Sequence, residues 1–320
     1  MIVASQIWTQ VFWTSVVAGG LLACVPLMFT ALGETISERA GVLNIGLEGM
    51  MLIGAYVGFL GAHYSNSVWP GYLAGTAAGL LVSVIMVVLC VWFGLDQIVV
   101  GIAITLSGEG ITSVLHGAQF GASEPRIGAT PTLAIPLLDR IPVLGQAVHG
   151  QKPLFQQPLI VYLGLALVAL VAWVFRSTNI GLNLRAAGEK PEALDAAGVS
   201  VIATRSYAAL STGALAGLGG AYLSVSVAGV FTPFITQGQG FMAIVIAMLA
   251  RGKPFWVIIG SFLFGVSISL IDSLQIVGIN ISTDVGHMLP FLAIIVALIL
   301  FARRSYLPPA LALPYLRGAR

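Results

Sequence analysis

The sequence predicts an all-α polytopic membrane protein, with about nine transmembrane helices (about eight to ten) forming two inverted repeats of about four spans with broken helices. Three observations predict it. Of 320 residues, 58% are apolar and only 8% are charged, with a mean hydropathy of +0.99. A soluble domain carries about 25% charged residues, so this chain cannot clothe a water-facing surface. Its apolar residues fall in runs long enough to cross a hydrocarbon core of about 30 Å. Finally, two segments far apart in the chain read alike.

The candidate spans run over about 11–32, 44–61, 70–93, 97–118, 158–175, 206–228, 236–250, 254–272 and 286–302. No basic residue precedes the first apolar run, so a cleavable leader is not expected. The seventh span is short, which a broken helix buried among neighbours tolerates. The 38 glycines spread through the spans suit close helix–helix packing. Cys24 and Cys90 lie inside apolar runs, with no partners at metal-ligand or disulfide spacing, and read as small core residues. The net charge of +2 is too small and scattered for nucleic acid, and nothing asks for a metal or a cofactor.

Orientation follows from the basic residues. Arg176, Arg185, Lys190 and Arg205 cluster in 176–205, Arg251 and Lys253 form a second group, and Arg303, Arg304, Arg317 and Arg320 lie in the tail. Placing these and Arg39 in the cytoplasm leaves only Arg126, Arg140 and Lys152 of the 14 basic residues outside, in the loop 119–157. The N-terminus then lies outside and the C-terminus in the cytoplasm.

The repeat reads Glu-Gly-Met-Met-Leu-Ile over 48–53 and Gln-Gly-Phe-Met-Ala-Ile over 239–244. Each copy opens an apolar span after a polar stretch, Asn44-Ile45-Gly46 or Thr236-Gln237-Gly238, and the preceding spans 11–32 and 206–228 match at the same offset. With this topology the copies are inverted, as in transporters whose substrate path follows the repeat interface. The chain then divides, within a single transmembrane domain over 1–320, into repeat one (about 11–118), span five with its cytoplasmic loop (about 158–205), repeat two (about 206–302) and a tail, 303–320.

Glu48 stands inside an apolar run, where a carboxylate at a helix centre costs about 2.5–3.5 kcal/mol unless a cavity or partner receives it. It either lines or gates a path, or bonds orphan N–H groups where the helix breaks at Gly46 or Gly49. Asn44, Gln237 and Gln239 occupy matching places and suit a neutral, hydroxyl-rich solute better than an ion. Glu109 is a second intramembrane acid, with His116 on about the same face; the pair is either a proton relay or a packed hydrogen-bonded contact. Asp272, Asp284 and His287 read as solvated at an outer span edge. No P-loop, nucleophile–base constellation or metal-ligand spacing is present, which argues against an enzyme. In Asn179–Val201, Pro191, Glu192, Asp195 and Gly198 mark a helix of about two turns. So short a helix must pack on something, its own protein or a partner.

Two motifs resemble the permease family of branched-chain amino acid, simple sugar and nucleoside ABC importers. Glu38 to Gly49, ERAGVLNIGLEG, is similar to the signature of the nucleoside and simple-sugar subgroup; Arg185 to Val199 resembles the family's cytoplasmic coupling segment. The likeness continues through GQGFMAIVIAMLARGKP and covers nearly the whole chain, with length closest to the smaller permease of nucleoside-type systems. The resemblance implies a single permease domain in a bacterial inner membrane, forming half a channel with a second related permease. It further implies a cytoplasmic ATPase docked through Arg185, Gly188, Glu189, Pro191, Glu192, Ala197 and Gly198, and an extracytoplasmic solute-binding protein. Asn44, Glu48, Gln237, Gln239 and Glu109 would line or gate the path. Nucleosides, sugars and flavins all fall within the subgroup; an ion-coupled transporter using Glu48 and Glu109 is the alternative outside it.

Overall fold

The computed structural model describes residues 10–121, 125–134, 156–276, 283–301 and 307–315. Helix α1, Gln10–Arg39, contains Pro26 and ends where Gly41 turns with φ +87, accepting the left-handed geometry that closes a helix without a Cβ penalty. Helix α2, Leu47–Ser65, is buried along most of its length and stops at left-handed Asn66. Helix α3, Val68–Met86, continues as a π-helical turn over Val87–Trp92. Asp96 caps α4, Gln97–Phe120, by accepting from Ile98 N (2.8 Å) and Val99 N (3.0 Å). A short antiparallel pair follows, β1 (Thr132–Ala134) with β2 (Gln156–Pro158). Then come α5 (Leu159–Ser177), α6 (Asn179–Glu189), α7 (Pro191–Ala196) and α8 (Val201–Tyr222), with a π-helical extension to Ala228. Helices α9 (Gln239–Ala250), α10 (Pro254–Ile276) and α11 (Thr283–Phe301) complete the bundle.

Six stretches among the described residues are long and apolar enough to cross a membrane: Ser15–Arg39, Val68–Trp92, Gln97–Phe120, Leu159–Ser177, Val201–Ala228 and Pro254–Gln275. Gln239–Ala250 and Met288–Ile299 are shorter apolar helices, and α2 has the length but carries Glu48 and His63. The centre of the bundle is built by α1, α2 and α8. Helix α8 is 72% buried and α5 only 22%, so α5 is peripheral. Along α4, Ile98, Val99, Leu106, Ile111 and Val114 are exposed and apolar, the pattern of a face turned to lipid or to a neighbouring subunit.

Glycines bring the central helices to backbone contact. Gly54 on α2, Gly75 and Gly79 on α3 and Gly213 and Gly217 on α8 stack on one another, and a Cβ at Gly79 would lie 2.7 Å from the Gly217 Cα. Lipid offers no hydrophobic drive between helices, so such close van der Waals approach is what holds them.

Two boundaries differ from the sequence reading. The first span does not end near 32: its helix runs on to Arg39 and buries Glu34 and Glu38, because Gly41 stops it rather than the onset of charge. Ahead of the expected helix at Pro191 lies another, α6, whose first turn is capped by Thr178 Oγ1 accepting from Gly181 N at 3.3 Å. The side chains of Asp272, Asp284 and His287, and residues Arg140, Lys152, Arg303, Arg304, Arg317 and Arg320, lie outside the described residues.

Candidate functional site

The loop after α1 folds back on its own helix. Asn44 N donates to Glu34 Oε1 (3.0 Å), Asn44 Oδ1 accepts from Gly46 N (3.0 Å), and Asn44 Nδ2 lies 3.4 Å from Met50 Sδ. These bonds turn the backbone so that α2 starts at Leu47 and Glu48 falls in its first turn. From the other half of the chain, Gln237 (φ +46) and Gly238 (φ +83) make a left-handed turn that starts α9 at Gln239. The two helix starts meet.

Glu48 joins them. Its Oε1 accepts from the Thr236 hydroxyl and from Gly238 N (2.8 Å), and its Oε2 accepts from Gly240 N (2.6 Å). A helix start presents unpaired N–H groups and a partial positive charge. Two such ends facing each other repel, and a carboxylate between them relieves the repulsion while satisfying the orphan donors of α9. Only a glycine allows this approach, since a Cβ at Gly240 would lie 2.5 Å from the Glu48 Cα. Glu48 is 3% exposed, so this anion is held by the protein rather than by water.

The remaining predicted path residues divide. Asn44 is fully buried and its polar atoms serve the turn. Gln237 is exposed, whereas Gln239 is buried with its Oε1 lacking a hydrogen-bond partner. Glu109 is half-buried beside the α2–α4 crossing, where a Cβ at Gly108 would lie 2.8 Å from the Gly49 Cα. Among the described residues no hydrogen bond joins Glu109 to His116. The His116 Nε2 is buried without a partner, and its ring packs 5.4 Å from both Phe120 and Phe231.

In the segment expected to couple, Arg185, Glu192, Ala197 and Gly198 are exposed, and Arg185 Nε pairs with the partly exposed Glu189 at 2.8 Å. Gly188 and Pro191 face inward. A Cβ at Gly188 would meet Gly41 N at 3.1 Å and the Pro308 side chain at 3.1 Å, so its role is to let α6 lie against the loop after α1.

Sequence reasoning missed Thr236, although it sits in the matched polar stretch, and it missed Glu34 and Glu38. The pair Glu34/Glu38 has helical spacing that would have shown one shared face had the first span been extended to Gly41. Near them opens a cleft of about 430 Å³ lined by Thr35, Glu38, Arg39, Arg185, Glu189, Arg251, Gly252, Lys253 and Pro308. A second cleft, of about 400 Å³, lies at the far end of α2 and includes His63, Trp69 and Arg126.

Comparison with known proteins gives the context. The family described as "Branched-chain amino acid transport system / permease component" matches residues 13–298. The guanosine ABC transporter permease protein NupQ of Bacillus subtilis is 33% identical, over 95% of this chain and 97% of its own length. A Haloferax volcanii protein provisionally named as the glucose ABC transporter permease protein TsgC13 is 34% identical, over 81% of this chain and 78% of its own. A second guanosine ABC transporter permease protein of Bacillus subtilis, NupP, is 27% identical over 94% and 85%. No solved structure matches the chain.

Proposed function

This chain belongs to the permease family of branched-chain amino acid transport systems, and we propose that it forms half of the translocation path of an ATP-driven ABC importer for nucleosides or a related neutral solute. It is a multi-pass membrane protein and a transport component rather than an enzyme. The observation that carries the reading is the joint at Glu48, where two interrupted helices from the two halves of the chain meet end to end. Broken helices facing each other across a repeat interface are how transporters of this kind build a path and a pivot at membrane depth.

The finer architecture follows the same reading: a single permease domain of nine spans, with α2, α9 and α11 added to the six long ones, in two inverted repeats, 11–118 and 206–302. The packing supports it. Helix α1 packs on α10 as α8 packs on α3, and α1 packs on α9 as α8 packs on α2, the exchange expected if the halves are equivalent. The N-terminus lies outside and the C-terminus in the cytoplasm of a bacterial inner membrane. Glu48, with Thr236 and Gln239 beside it, forms the gate; Asn44 positions it, and Gln237 and Glu109 flank the path.

Arg185, Glu189, Glu192, Ala197 and Gly198 present a docking surface to a separate cytoplasmic ATPase, shaped from behind by Gly188 and Pro191. A second related permease completes the channel, as the existence of two guanosine permeases in one Bacillus species suggests. A solute-binding protein delivers to the opposite face, and the lipid bilayer surrounds the assembly. The similarity to TsgC13 favours one second reading, a sugar as cargo.

Uptake of labelled guanosine, uridine, ribose and glucose, with and without the gene and with ATP depleted in parallel, tests the proposal. ATP-dependent nucleoside uptake lost with the gene is the expected result. ATP-dependent sugar uptake keeps the machine and changes the cargo. Uptake that survives ATP depletion but collapses with the proton gradient sinks the importer reading.

Docking has its own test. Glu189→Lys sets two cations one turn apart, and Glu192→Lys reverses an exposed charge. Surface pairs are worth about 0.3–0.5 kcal/mol, so the folded chain is barely affected. Uptake per inserted molecule should nevertheless fall several-fold in each variant. Normal uptake in both removes the docking assignment.

A further inference from the structure

Residues 307–315 return to the cytoplasmic end of the bundle, and of them only Pro308 has been described so far, beside Gly188 and in the cleft. Ala310 N donates to Gly188 O at 3.0 Å, and Ala312 N donates to Gly41 O at 3.1 Å. These are the two glycines at which α6 lies against the loop after α1. The tail therefore bonds once to each side of that contact.

A buried cation locks the arrangement. Arg205, at the start of α8, is 3% exposed, and no carboxylate among the described residues lies within ion-pair distance of it. Its two terminal nitrogens bond to carbonyls instead: Nη1 donates to Leu313 O (2.7 Å), and Nη2 to Ala187 O (3.1 Å) and Ala310 O (3.4 Å), while Nε is buried without a hydrogen-bond partner. Ala187 lies in the last turn of α6, where unpaired carbonyls and the helix dipole favour a positive group. Arginine suits this place because its fork of donors can reach two segments at once, which a lysine's single ammonium does less well.

The contacts run onward without a gap. From Gly41 the chain leads to Asn44, tied to Glu34, and on to Glu48, tied to Gly238 and Gly240. We propose that residues 307–315 are a strap, held by Arg205, that fastens the docking helices α6 and α7 to the loop 40–46, so that a displacement of those helices reaches the Glu48 joint. Arg205 is thus a positioning residue for coupling. This rests on the ABC importer reading above.

The test uses the complete transporter in its own cells and then as the purified complex. Ala310→Pro removes one N–H from the tail, outside every membrane helix. Arg205→Ala removes the lock and Arg205→Lys keeps its charge. Ala312→Gly, which keeps the N–H and suits the local φ of +60, is the control. In Ala310→Pro and Arg205→Ala, maximal uptake per inserted molecule should fall about fivefold or more, the rate equivalent of one net hydrogen bond. The KM for solute should stay unchanged, and ATP hydrolysed per solute carried should rise. Arg205→Lys should recover part of the rate and Ala312→Gly all of it.

Normal uptake and an unchanged ATP ratio in Ala310→Pro would overturn the strap and leave the importer reading intact. So would loss of that variant from the membrane with normal transport by the molecules that remain, because the tail would then serve folding alone. Absence of ATP-dependent uptake in the unmodified transporter defeats the importer reading itself, and the strap with it.

Discussion

In a Glu48→Gln variant, uptake per inserted molecule should fall at least about tenfold, and the chain should also unfold at lower temperature. The carboxylate has three donors pointed at it: the Thr236 hydroxyl and the N–H groups of Gly238 and Gly240. Glutamine offers one accepting oxygen and one donating NH₂. Whichever way the amide turns, it brings its N–H bonds against a backbone N–H or the threonine. An unsatisfied buried donor costs about 1–3 kcal/mol, and the lost charge at a helix start adds about 0.3–2 kcal/mol. About 1.4 kcal/mol already corresponds to tenfold in a rate or an equilibrium. Glu48→Asp keeps the charge but shortens the reach, so it should lie between the two. Uptake per molecule and thermal unfolding in detergent, measured on the same preparations, check the expectation. Lost uptake with unchanged stability would mean that the carboxylate acts on the passing solute and not on α9. Full uptake with unchanged stability would make it a bystander.

The part of this joint legible in the sequence was the part set by contrast with its surroundings. A lone acid in NIGLEGMMLIGAY is conspicuous because apolar neighbours give it no solvent, and its match with the segment at 239 marked the two segments as equivalent without saying that they touch. The apolar helices were legible for the same reason, since charge punctuates an apolar chain. What was not legible depended on contacts distant in sequence. Nothing local says that Thr236 rather than Gln237 turns inward, because that choice rests on the left-handed turn at Gln237 and Gly238. Asn44 looked like a path residue because its side chain is polar; the fold spends that polarity on its own backbone. Glu34 and Glu38 were passed over because the first span was expected to end near 32, while the helix runs on to Arg39 and stops at Gly41. Arg205 counted only as a vote for the cytoplasm, and two of its three carbonyl partners, Leu313 and Ala310, lie more than 100 positions away.

Replacing Gly220 by Ala should be the most destructive added methyl group among the described glycines. A Cβ there would sit on the Met51 carbonyl oxygen, 2.8 Å from the Met51 carbonyl carbon and 2.9 Å from Ala55 N. All three belong to the α2 backbone, so no rotamer change makes room. Helix α8 cannot simply step back either. Its neighbouring Gly219 faces α1, where a Cβ would already lie 2.8 Å from Pro26 O and 2.7 Å from Thr30 Oγ1. The helix is held between two backbones, and separating it from one drives it toward the other. Overpacking a well-filled core costs about 1–3 kcal/mol and more where backbone must move, and here it must. The expected result is a large loss of inserted, folded chain. Gly110→Ala is the matched control, a helical glycine with nothing within 4 Å of its added Cβ, and it should insert normally. Helix α2 carries Glu48, and α8 begins where α6 and α7 end, so the Gly220–Met51 contact fixes one relative to the other. If Gly220→Ala folds and unfolds like Gly110→Ala, α2 and α8 can part at little cost. Motion at α6 and α7 would then dissipate between them before it reached Glu48. If the variant is lost, the contact is rigid, and displacement of α6 and α7 has a fixed lever on which to act.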